Sequence, residues 1–445
     1  MNADSGEPRR VRRARSLAGV LRMPSDKSIG HRALIANAIA EGEATIQLVA
    51  PGADLLSTVG CLRDLGVEVR KDESDGRMSL HVAGAPGLPA GDRRLDCGNS
   101  GTTMRLLAGL TAGRPGSTVL DGDISLRRRP MERLATPLRA MGAAVATSPD
   151  GTAPLTVGGR RPLHGMQHRL PVASAQLSSA LLFAGLAADR ETTVELPAPV
   201  RDHTERLLAA MGAQVTRSSD GLRTSLQPGA RLSARSVDVP GDPSSAAAWM
   251  VAAAVSPGAS LRLTGLAINP TRLAVVDLLR EMGASLSVQP SDGADGPEPV
   301  GDIVVQGRTE LRPIQLGGAS VAALIDELPL VGIAMAAADG TSELRDAGEL
   351  RVKESDRITA IVEGLDAIGA QVRELPDGWQ VSRGRAASAR IATHGDHRIA
   401  IAFAIAAVTG VAGEVVLDDD ACVAVSYPTF WNDLALASSP AGAIA

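Results

Sequence analysis

Only three of the 45 lysines and arginines in this 445-residue chain are lysines: Lys27, Lys71 and Lys353. Where arginine is the usual cation, a lysine is a candidate for proton transfer, because an ammonium changes its pKa readily whereas a guanidinium stays charged. Lys71 lies in a polar stretch that we predict to be a turn between two strands. Lys27 and Lys353 lie in dense polar clusters at predicted helix starts, so those clusters are the first candidates for a site.

The first cluster, residues 24–32, places small polar and cationic side chains at the start of a predicted helix. Ser28 offers a hydroxyl, Lys27 an ammonium and Arg32 a guanidinium. Arg32 follows Ser28 by four residues, so both face the same side of the helix. This group suits a phosphate or a carboxylate, although an ordinary capped helix has the same composition. The sequence lacks the Gly-x-x-x-x-Gly-Lys-Ser/Thr pattern of a Walker loop.

The second cluster, residues 351–357, has five charged residues in seven, with alternating sign, at another predicted helix start. Lys353, Glu354 and Arg357 are close enough in sequence to shift one another's pKa, which favours groups that transfer protons. A surface ion-pair network is the alternative. Asp326 and Glu327 interrupt a long apolar stretch, and a carboxylate there is either a helix cap or a general base.

Further polar or small residues stand at or near other predicted helix starts, where they could contact an anionic, polyhydroxylated ligand. They are Gly101, Arg129, Ser174, Ala175, Gln176, Arg201 and Arg398. Arg127 and Arg128 are expected to form a solvated face, and His203 is expected to be structural.

The sequence offers no credible nucleophile and no metal-ligand spacing. Cys61 falls within an amphipathic helix, and Cys97 has no histidine nearby in the sequence. His394, Asp396 and His397 are close together but lack complementary ligands at metal-binding spacing. We therefore expect general acid–base chemistry on two anionic substrates, without a covalent enzyme intermediate, a metal or a cofactor.

A six-fold internal repeat must position these groups. The pattern Leu-x-x-(Leu/Met/Ile)-Gly-(Val/Ala) recurs five times, ends an amphipathic helix each time and precedes a strand-like alternation. Its glycines are predicted C′ residues. They are Gly66, Gly142, Gly212, Gly283 and Gly369.

A second, apolar helix accompanies each repeat and should be buried, because it is apolar nearly all round. These helices are expected to begin near Lys27, Asn99, Ser174, Asp242, Asp326 and Asp396. For the amphipathic helices, we predict that Pro130, Pro270 and Pro428 occupy first helical positions and that Asp202 and Glu205 form a capping box. Several buried N-termini converging between two domains would make an anion-binding cleft.

The length and the repeat predict an α/β protein of two domains, with three βαβαββ-like units in each. The predicted N-terminal domain spans residues 24–239, and the C-terminal domain combines residues 1–23 with 240–445. A strand at residues 17–23 could belong to either domain, and residues 1–15 are expected to be a frayed tail.

Composition excludes several classes of function. Aromatic residues make up 2% of the chain and the formal net charge is −5, which argues against a nucleic-acid-binding protein. The few rings also mean that helices must pack through small residues. No apolar run reaches the ~20 residues of a membrane span. Three scattered cysteines fit a reducing cytoplasm.

The order and spacing of these clusters resemble the 5-enolpyruvylshikimate-3-phosphate (EPSP) synthase family over residues 17–434. Residues 351–357 are the most diagnostic, and residues 201–205 and 269–272 resemble the class II subgroup. The resemblance implies a two-domain inside-out α/β barrel with buried helices and an interdomain cleft. It also implies transfer of the enolpyruvyl group of phosphoenolpyruvate to the 5-hydroxyl of shikimate 3-phosphate, with release of phosphate.

The resemblance assigns three overlapping sets of residues. It implies that shikimate 3-phosphate binds Lys27, Ser28, Arg32, Ser174, Ala175, Gln176, Arg201, Asp326 and Lys353. Phosphoenolpyruvate would bind Lys27, Gly101, Arg129, Gln176, Arg357 and Arg398. Asp326 would take the proton of the 5-hydroxyl, while Lys27 and Glu354 would move protons at phosphoenolpyruvate. We expect a cytoplasmic monomer that binds these two small molecules and neither nucleic acid nor membrane.

One position departs from the family pattern, and two alternatives stay open. Val425 stands where many members have a lysine, which puts one contact with phosphoenolpyruvate in doubt. The sister enzyme, UDP-N-acetylglucosamine enolpyruvyl transferase, typically has a cysteine where this chain has Ile124, and it lacks the 351–357 cluster. The other alternative is a non-catalytic anion-binding protein, which would not need Asp326 and Glu354. The sequence leaves glyphosate sensitivity open.

Overall fold

The computed structural model describes residues 8–74, 76–159, 162–291, 296–307 and 310–438. The described chain forms two compact units. One unit, here the N-terminal unit, comprises residues 25–240 with 296–298. The other, the C-terminal unit, comprises the described parts of residues 8–24, 241–291 and 299–438.

The described residues contain thirteen α-helices, and none of them is long and apolar enough to cross a membrane. The helices are α1 (Lys27–Ala38), α2 (Ala53–Asp64), α3 (Gly101–Ala112), α4 (Glu132–Ala140), α5 (Ala175–Gly185), α6 (His203–Ala210), α7 (Pro243–Ala254), α8 (Ala274–Glu281), α9 (Ala319–Leu324), α10 (Leu328–Ala337), α11 (Arg357–Ala367), α12 (His397–Thr409) and α13 (Phe430–Ser438). Short 3₁₀ helices cover Leu126–Arg128, Pro270–Arg272, Gly348–Val352 and Ala421–Val425.

The strands of the described residues alternate with these helices. They are β1 (Arg9–Val11), β2 (Ala18–Arg22), β3 (Glu43–Val49), β4 (Glu68–Ser74), β5 (Arg77–Ala83), β6 (Arg93–Asp96), β7 (Gly116–Asp121), β8 (Ala144–Ala146), β9 (Leu155–Gly159), β10 (Gln167–Arg169), β11 (Thr192–Glu195), β12 (Val215–Arg217), β13 (Arg223–Leu226), β14 (Val237–Asp238), β15 (Ser260–Ala267), β16 (Ser285–Pro290), β17 (Val300–Gln306), β18 (Gln315–Leu316), β19 (Thr341–Leu344), β20 (Gln371–Leu375), β21 (Gly378–Ser382), β22 (Ala389–Ile391) and β23 (Val415–Leu417).

Five sheets share one strand pattern, in which a parallel pair is extended by an antiparallel hairpin. In the order β6-β7-β9-β8, for example, β6 and β7 are parallel, and β9 pairs antiparallel with both β7 and β8. The same order recurs in β14-β3-β5-β4, β10-β11-β13-β12, β2-β15-β17-β16 and β18-β19-β21-β20. This confirms the mixed α/β fold built from repeated units. β2 pairs in parallel with β15, so the strand predicted at residues 17–23 lies in the C-terminal unit.

The sixth sheet is completed by the N-terminal segment. β1 pairs antiparallel with β23, which in turn pairs in parallel with β22. Arg10 forms an ion pair of 2.9 Å with Glu414, and the guanidinium of Arg9 lies 4.5 Å from the ring centroid of Trp431. The prediction of a frayed tail is therefore wrong for residues 9–11, while residues 1–7 lie outside the described chain. A strand of three residues is too short to show a period in the sequence.

The five repeated glycine patterns are Schellman motifs. Each glycine is the C′ residue and has a positive φ, from +89° at Gly66 to +102° at Gly212. At the end of α2, the Gly66 N–H donates to Arg63 O and the Val67 N–H donates to Leu62 O. The same two hydrogen bonds close α4, α6, α8 and α11. The prediction that these glycines end the helices is confirmed, because a left-handed residue satisfies carbonyls that the last turn leaves free.

The six apolar helices are buried, as predicted: α1, α3, α5, α7, α10 and α12. They pack through small residues. A methyl group at Gly109 of α3 would overlap the carbonyl oxygen of Ala180 in α5, and one at Gly364 would overlap the ring of Phe403 in α12. Close packing at glycines thus compensates for the small number of large aromatic side chains in this chain.

Four local predictions are wrong. Pro130 and Pro428 precede the first residues of α4 and α13 by two positions, so they lie in the turns before the helices. Pro270 does occupy a first position, but of a 3₁₀ helix. The Asp202 side chain binds Arg206 and Arg217, at 2.9 and 2.8 Å, instead of capping α6. Lys71 lies inside β4, where it pairs with Glu73.

Two glycine-to-alanine substitutions should have opposite effects on stability. Gly212 has a φ of +102°, which residues with a side chain rarely adopt, and the nearest atom to an added Cβ would be 3.8 Å away. The methyl group of Gly212→Ala therefore meets no clash, and the substitution costs about 1–2 kcal/mol of backbone strain. Gly60 lies in the exposed interior of α2 with open space around it, so Gly60→Ala should stabilise by about 0.5–1 kcal/mol. Calorimetry should show a lower Tm for the first variant and a higher Tm for the second. Shifts in the same direction would contradict this assignment.

Candidate functional site

In the N-terminal unit, the start of α1 presents a lysine held by a carboxylate. The Asp26 side chain caps the helix by accepting the Ile29 N–H at 2.9 Å. Lys27 follows, and its Nζ lies 3.0 Å from Asp54 Oδ2 of α2. About a quarter of the Lys27 side chain remains exposed. The capped turn thus fixes an ammonium that solvent, or a ligand, can still reach.

Arg32, one turn further along α1, is buried and tied to two other helices. Its Nε donates to Thr204 Oγ1 of α6 at 2.7 Å, and its Nη2 donates to Ser179 Oγ of α5 at 2.8 Å. Its Nη1 donates to the carbonyl oxygen of Ser28 at 2.9 Å. Burial lowers the pKa of Arg32 to about 10, while the nearby Glu205 acts to raise it. The guanidinium is therefore a fixed positive charge at the level of the first turn of α1.

A buried chain of hydrogen bonds joins α1 to the start of α3. His31 Nδ1 lies 2.7 Å from Thr58 Oγ1, which lies 2.7 Å from Thr103 Oγ1. The Thr103 hydroxyl donates to Ser100 Oγ, the N-cap of α3, at 2.7 Å. A chain that runs in one direction requires the His31 tautomer with a proton on Nδ1. Burial lowers the pKa of His31 to about 3, so the ring is neutral at physiological pH.

Gly101, the first residue of α3, leaves room between two guanidiniums. A Cβ built there would lie 2.6 Å from Arg105 Nη1 and 3.1 Å from Arg129 Nη1. Arg105 donates to Gln176 Oε1 at 2.7 Å, and Arg129 donates to Asn99 Oδ1 at 2.8 Å. Two cations and an amide thus surround one helix N-terminus, an arrangement suited to an anion.

The start of α5 completes this group. Ser174 caps α5 by accepting the Leu177 N–H at 3.4 Å, and Ala175 is its first residue. Gln176 Nε2 donates to Thr102 Oγ1 at 2.9 Å, which links α5 to α3. Arg201 precedes α6 and acts on the pKa of Arg32, so the two guanidiniums are near each other.

Arg127, Arg128 and His203 of the same unit lie outside these groups. Arg127 and Arg128 are exposed, and Arg127 pairs with Asp121 at 2.6 Å, as expected of a solvated face. His203 is buried, and its Nδ1 lies 2.6 Å from Glu298 Oε1, which agrees with a structural role.

In the C-terminal unit, Arg357 opens α11 between two carboxylates. Its Nε and Nη2 donate to Asp396 at 2.8 and 3.1 Å, and Nη2 also donates to Glu354 Oε2 at 2.7 Å. Burial acts to lower the pKa of Arg357, but Asp396 and Glu354 outweigh it and raise that pKa. Asp396 also caps α12 by accepting the backbone N–H of Arg398 at 2.9 Å, so one carboxylate binds the Arg357 guanidinium and the first turn of α12.

The charged run at residues 351–357 divides into two groups. Arg351 binds Asp356 and Glu374, each at 2.8 Å, in a partly exposed network that corresponds to the structural alternative. Lys353 belongs to the other group. Burial lowers the pKa of Lys353, which Asp326 and Glu354 act to raise and Arg357 to lower. The predicted residues Asp326, Lys353, Glu354 and Arg357 therefore interact electrostatically.

Asp326 lies in the turn between α9 and α10, and the next residue, Glu327, is the N-cap residue of α10. Asp326 is partly exposed, whereas Glu327 is buried. The Glu327 side chain occupies the cap position without making a capping hydrogen bond. Further along the chain, the Arg398 side chain donates to Ser244 O of α7 at 3.4 Å.

Three polar residues in these groups were missed as candidates: the buried Arg105 and Arg272 and the partly exposed Asn99. Arg105 follows Gly101 by four residues, one helical turn, and Asn99 precedes it by two, so closeness to Gly101 was an available signal. Arg272 lies far along the chain from its partners Asp242 and Glu327, so no local spacing reveals it. The described residues contain no group of three or more His, Cys, Asp or Glu that could hold a metal ion.

The sequence of this chain is similar to one family over nearly its whole length. A family model described as EPSP synthase (3-phosphoshikimate 1-carboxyvinyltransferase) matches residues 11–434. A 3-phosphoshikimate 1-carboxyvinyltransferase of Synechococcus sp. (strain RCC307) is 46% identical over 426 residues, covering 94% of this chain and 97% of that protein. One of Chloroflexus aurantiacus is 46% identical over 431 residues, covering 96% and 98%.

Solved structures agree. An EPSP synthase from Acinetobacter baumannii has a TM-score of 0.81 and 38% identity, covering 96% of this chain and 97% of that one. The enolpyruvyl transferase NikO from Streptomyces tendae has a TM-score of 0.74 at 19% identity, covering 98% of each chain. The second likeness concerns the fold alone.

The buried His31 should make stability depend on acid. Its pKa is about 3 in the folded protein and about 6.5 when unfolded, so below pH 6.5 the unfolded state gains a proton that the folded state does not. Stability should fall as the pH falls, by about 2 kcal/mol at pH 5. His31→Asn keeps a donor for Thr58 and should lose this component, as measured by chemical unfolding at pH 7 and 5. The matched control His81→Asn, at a partly exposed histidine, should keep it. An equal acid loss in wild type and His31→Asn would contradict the prediction.

Proposed function

The chain belongs to the EPSP synthase family, and from that premise we propose which of its residues perform each part of the reaction. The reaction transfers the enolpyruvyl group of phosphoenolpyruvate to the 5-hydroxyl of shikimate 3-phosphate and releases phosphate. The O5–C2 bond forms as C3 gains a proton. The C2–O bond to phosphate then breaks as C3 loses one. The protein must therefore hold two anions and move protons at O5, C3 and the leaving phosphate.

We propose that shikimate 3-phosphate binds mainly through the N-terminal unit. Ser28 and Ser174 stand at the starts of two buried helices and offer hydroxyl donors with the helix N–H groups. Ala175 and Gln176 extend the second of these starts. Arg32 supports this proposal because its guanidinium is already fixed, so little rotamer entropy is lost on binding. Arg201 adds a second cation.

Phosphoenolpyruvate is proposed to bind cations from both halves of the sequence. Gly101 and Arg129 would receive it at the start of α3, beside Gln176 and Lys27. Arg357 and Arg398 would hold its phosphate or carboxylate. Asp396 fixes one edge of the Arg357 guanidinium, which supports the proposal because a planar guanidinium held on one edge presents the other edge for bidentate binding.

Proton transfer is assigned to Asp326, Glu354 and the two cluster lysines. Asp326 would accept the proton of the 5-hydroxyl, and Lys353 would assist it or bind that hydroxyl. Lys27 and Glu354 would serve C3 and the leaving phosphate in the formation and breakdown of a tetrahedral intermediate. The observation that carries this assignment is the charged cluster itself. Glu354 accepts from the buried Arg357 at 2.7 Å, and Lys353 interacts with Asp326 and Glu354 while burial lowers its pKa. Such perturbed groups are characteristic of catalytic sites.

The domain bounds, the oligomeric state and the cellular location are also proposals. We propose domains at residues 24–239 and at 1–23 with 240–445, supported by unit boundaries at Pro24 and Pro240. A monomer is proposed because one chain contains every assigned group. A cytoplasmic location is supported by three buried, unpaired cysteines. Val425, in a 3₁₀ helix, stands where many family members have a lysine. Without that lysine, phosphoenolpyruvate would be held by the four proposed cations Lys27, Arg129, Arg357 and Arg398.

Phosphate release tests the function directly. Purified protein is given phosphoenolpyruvate with shikimate 3-phosphate, with UDP-N-acetylglucosamine, or with neither acceptor. We expect release only with shikimate 3-phosphate. Release only with UDP-N-acetylglucosamine would overturn the choice of acceptor. No release in any arm, from protein that still binds shikimate 3-phosphate, would favour the non-catalytic anion-binding alternative.

Glu354→Gln tests the proton-transfer role. The amide keeps the shape and can still accept from Arg357, but it cannot carry a proton, so kcat should fall about 10²- to 10⁴-fold. The Kd for shikimate 3-phosphate, measured by calorimetry, should stay within a few-fold. The matched control is Glu374→Gln, because Glu374 belongs to the exposed Arg351 network and should keep full turnover. Unchanged turnover in Glu354→Gln would show the role to be wrong.

A further inference from the structure

We propose that Arg272 is a positioning residue for the proposed base Asp326 and the proposed ligand Arg398, and this inference rests on the proposed function. Arg272 ends the 3₁₀ helix Pro270–Arg272, and its side chain is 2% exposed. None of the roles assigned above uses it. Its partners instead lie at the starts of α7 and α10, and α10 follows the turn that carries Asp326.

The guanidinium contacts three side chains from two such helix starts. Arg272 Nη2 donates to Asp242 Oδ1 at 2.5 Å and to Ser244 Oγ at 3.1 Å, both at the start of α7. Arg272 Nη1 lies 4.0 Å from Oε1 of Glu327, the N-cap residue of α10. One planar cation therefore fixes the separation of α7 and α10 at their N-terminal ends.

Ser244 extends this connection to a third helix. Its hydroxyl donates to Glu327 Oε1, and its backbone carbonyl oxygen accepts from Arg398 Nη1 at 3.4 Å. Arg398 belongs to the first turn of α12. The Arg272 cluster, defined as Asp242, Ser244, Arg272 and Glu327, thus reaches one proposed ligand of phosphoenolpyruvate directly.

The turn that carries Asp326 depends on this cluster for its orientation. Neither α9 nor α10 has a side-chain hydrogen bond at its N-cap, so local capping does not fix the segment between them. The contacts of Glu327, the residue after Asp326, hold one end of this turn. A shift of about 1 Å at such a point can cost about 10²-fold in rate.

The free-energy cost of burying the charges of this cluster points to the same role. Asp242, Glu327 and Arg272 are all buried. Buried charges rarely improve stability over apolar residues of similar volume, and their best-attested benefit is to specify one arrangement. Here the arrangement specified is that of three helix starts in the C-terminal unit.

The test compares Arg272→Met, which removes the charge, with Arg272→Lys, which keeps it. Full-length variants are assayed for kcat, for KM of phosphoenolpyruvate and for Kd of shikimate 3-phosphate. For Arg272→Met we expect kcat to fall about 10- to 100-fold and this KM to rise, while the Kd stays within about 3-fold. Arg272→Lys should recover part of kcat. Arg262→Met, at a half-exposed arginine paired with Asp302, is the matched control and should change none of the three constants.

A double-mutant cycle with Glu327→Gln isolates the connection. If Arg272 acts through Glu327, the loss in the double variant is smaller than the product of the two single losses. Multiplicative losses would overturn the inference. So would unchanged kcat in Arg272→Met, or an equal loss of shikimate 3-phosphate binding, which would indicate a general structural defect.

A separate variant, Asp326→Asn, distinguishes a failure of the proposed function from a failure of the inference about Arg272. If Asp326→Asn retains turnover, the assignment of Asp326 as the base is wrong, and the positioning role falls with it. If Asp326→Asn abolishes turnover while Arg272→Met leaves kcat unchanged, only the inference about Arg272 is wrong.

Discussion

A helix that is buried on all sides must still satisfy the N–H groups of its first turn, and this constraint organises both units. Six helices in the described chain are enclosed by sheets and other helices, so their N-termini need side-chain oxygens or a ligand. Five have such an oxygen at the N-cap: Asp26, Ser100, Ser174, Asp242 and Asp396. Each cap accepts only one or two N–H groups, so donors and a partial positive charge remain for an anion. The phosphates and carboxylates of this family's substrates are ligands that match such ends.

The same constraint explains why cations gather where the helix dipoles are already positive. Lys27, Arg32, Arg105 and Arg398 all lie in the first or second turn of a buried helix, where the macrodipole disfavours them. Carboxylates and hydroxyls compensate, as Asp54 does for Lys27 and Asp396 for Arg357. An anionic substrate would offset the remaining positive charge. The groups that attract the substrate are therefore already in place before it binds.

The sequence was informative where local chemistry decides the structure. Leucine, glycine and a small apolar residue at fixed spacing specify the Schellman motif, so five helix ends could be predicted from the sequence. The polar clusters at the starts of the buried helices could be predicted for the same reason. Partners from distant parts of the chain could not be. β1 is stabilised by pairing with β23, and the Asp202 side chain binds Arg217 of β12 instead of capping α6. The split of residues 351–357 into Arg351 with Glu374 and Arg357 with Asp396 likewise depends on tertiary contacts.

The start of α10 is the exception among the six buried helices, since its N-cap Glu327 makes no capping hydrogen bond. A local cap would normally stabilise such an end by about 1 kcal/mol. Here the carboxylate contacts Ser244 and Arg272 instead, and the preceding Asp326 is partly exposed. Asp326 interacts electrostatically with Lys353 and Arg357 from this turn. Replacing a local cap with distant partners therefore couples the turn that carries Asp326 to charges from α7 and from the 3₁₀ helix at Arg272, which supports the proposal that Asp326 is the base.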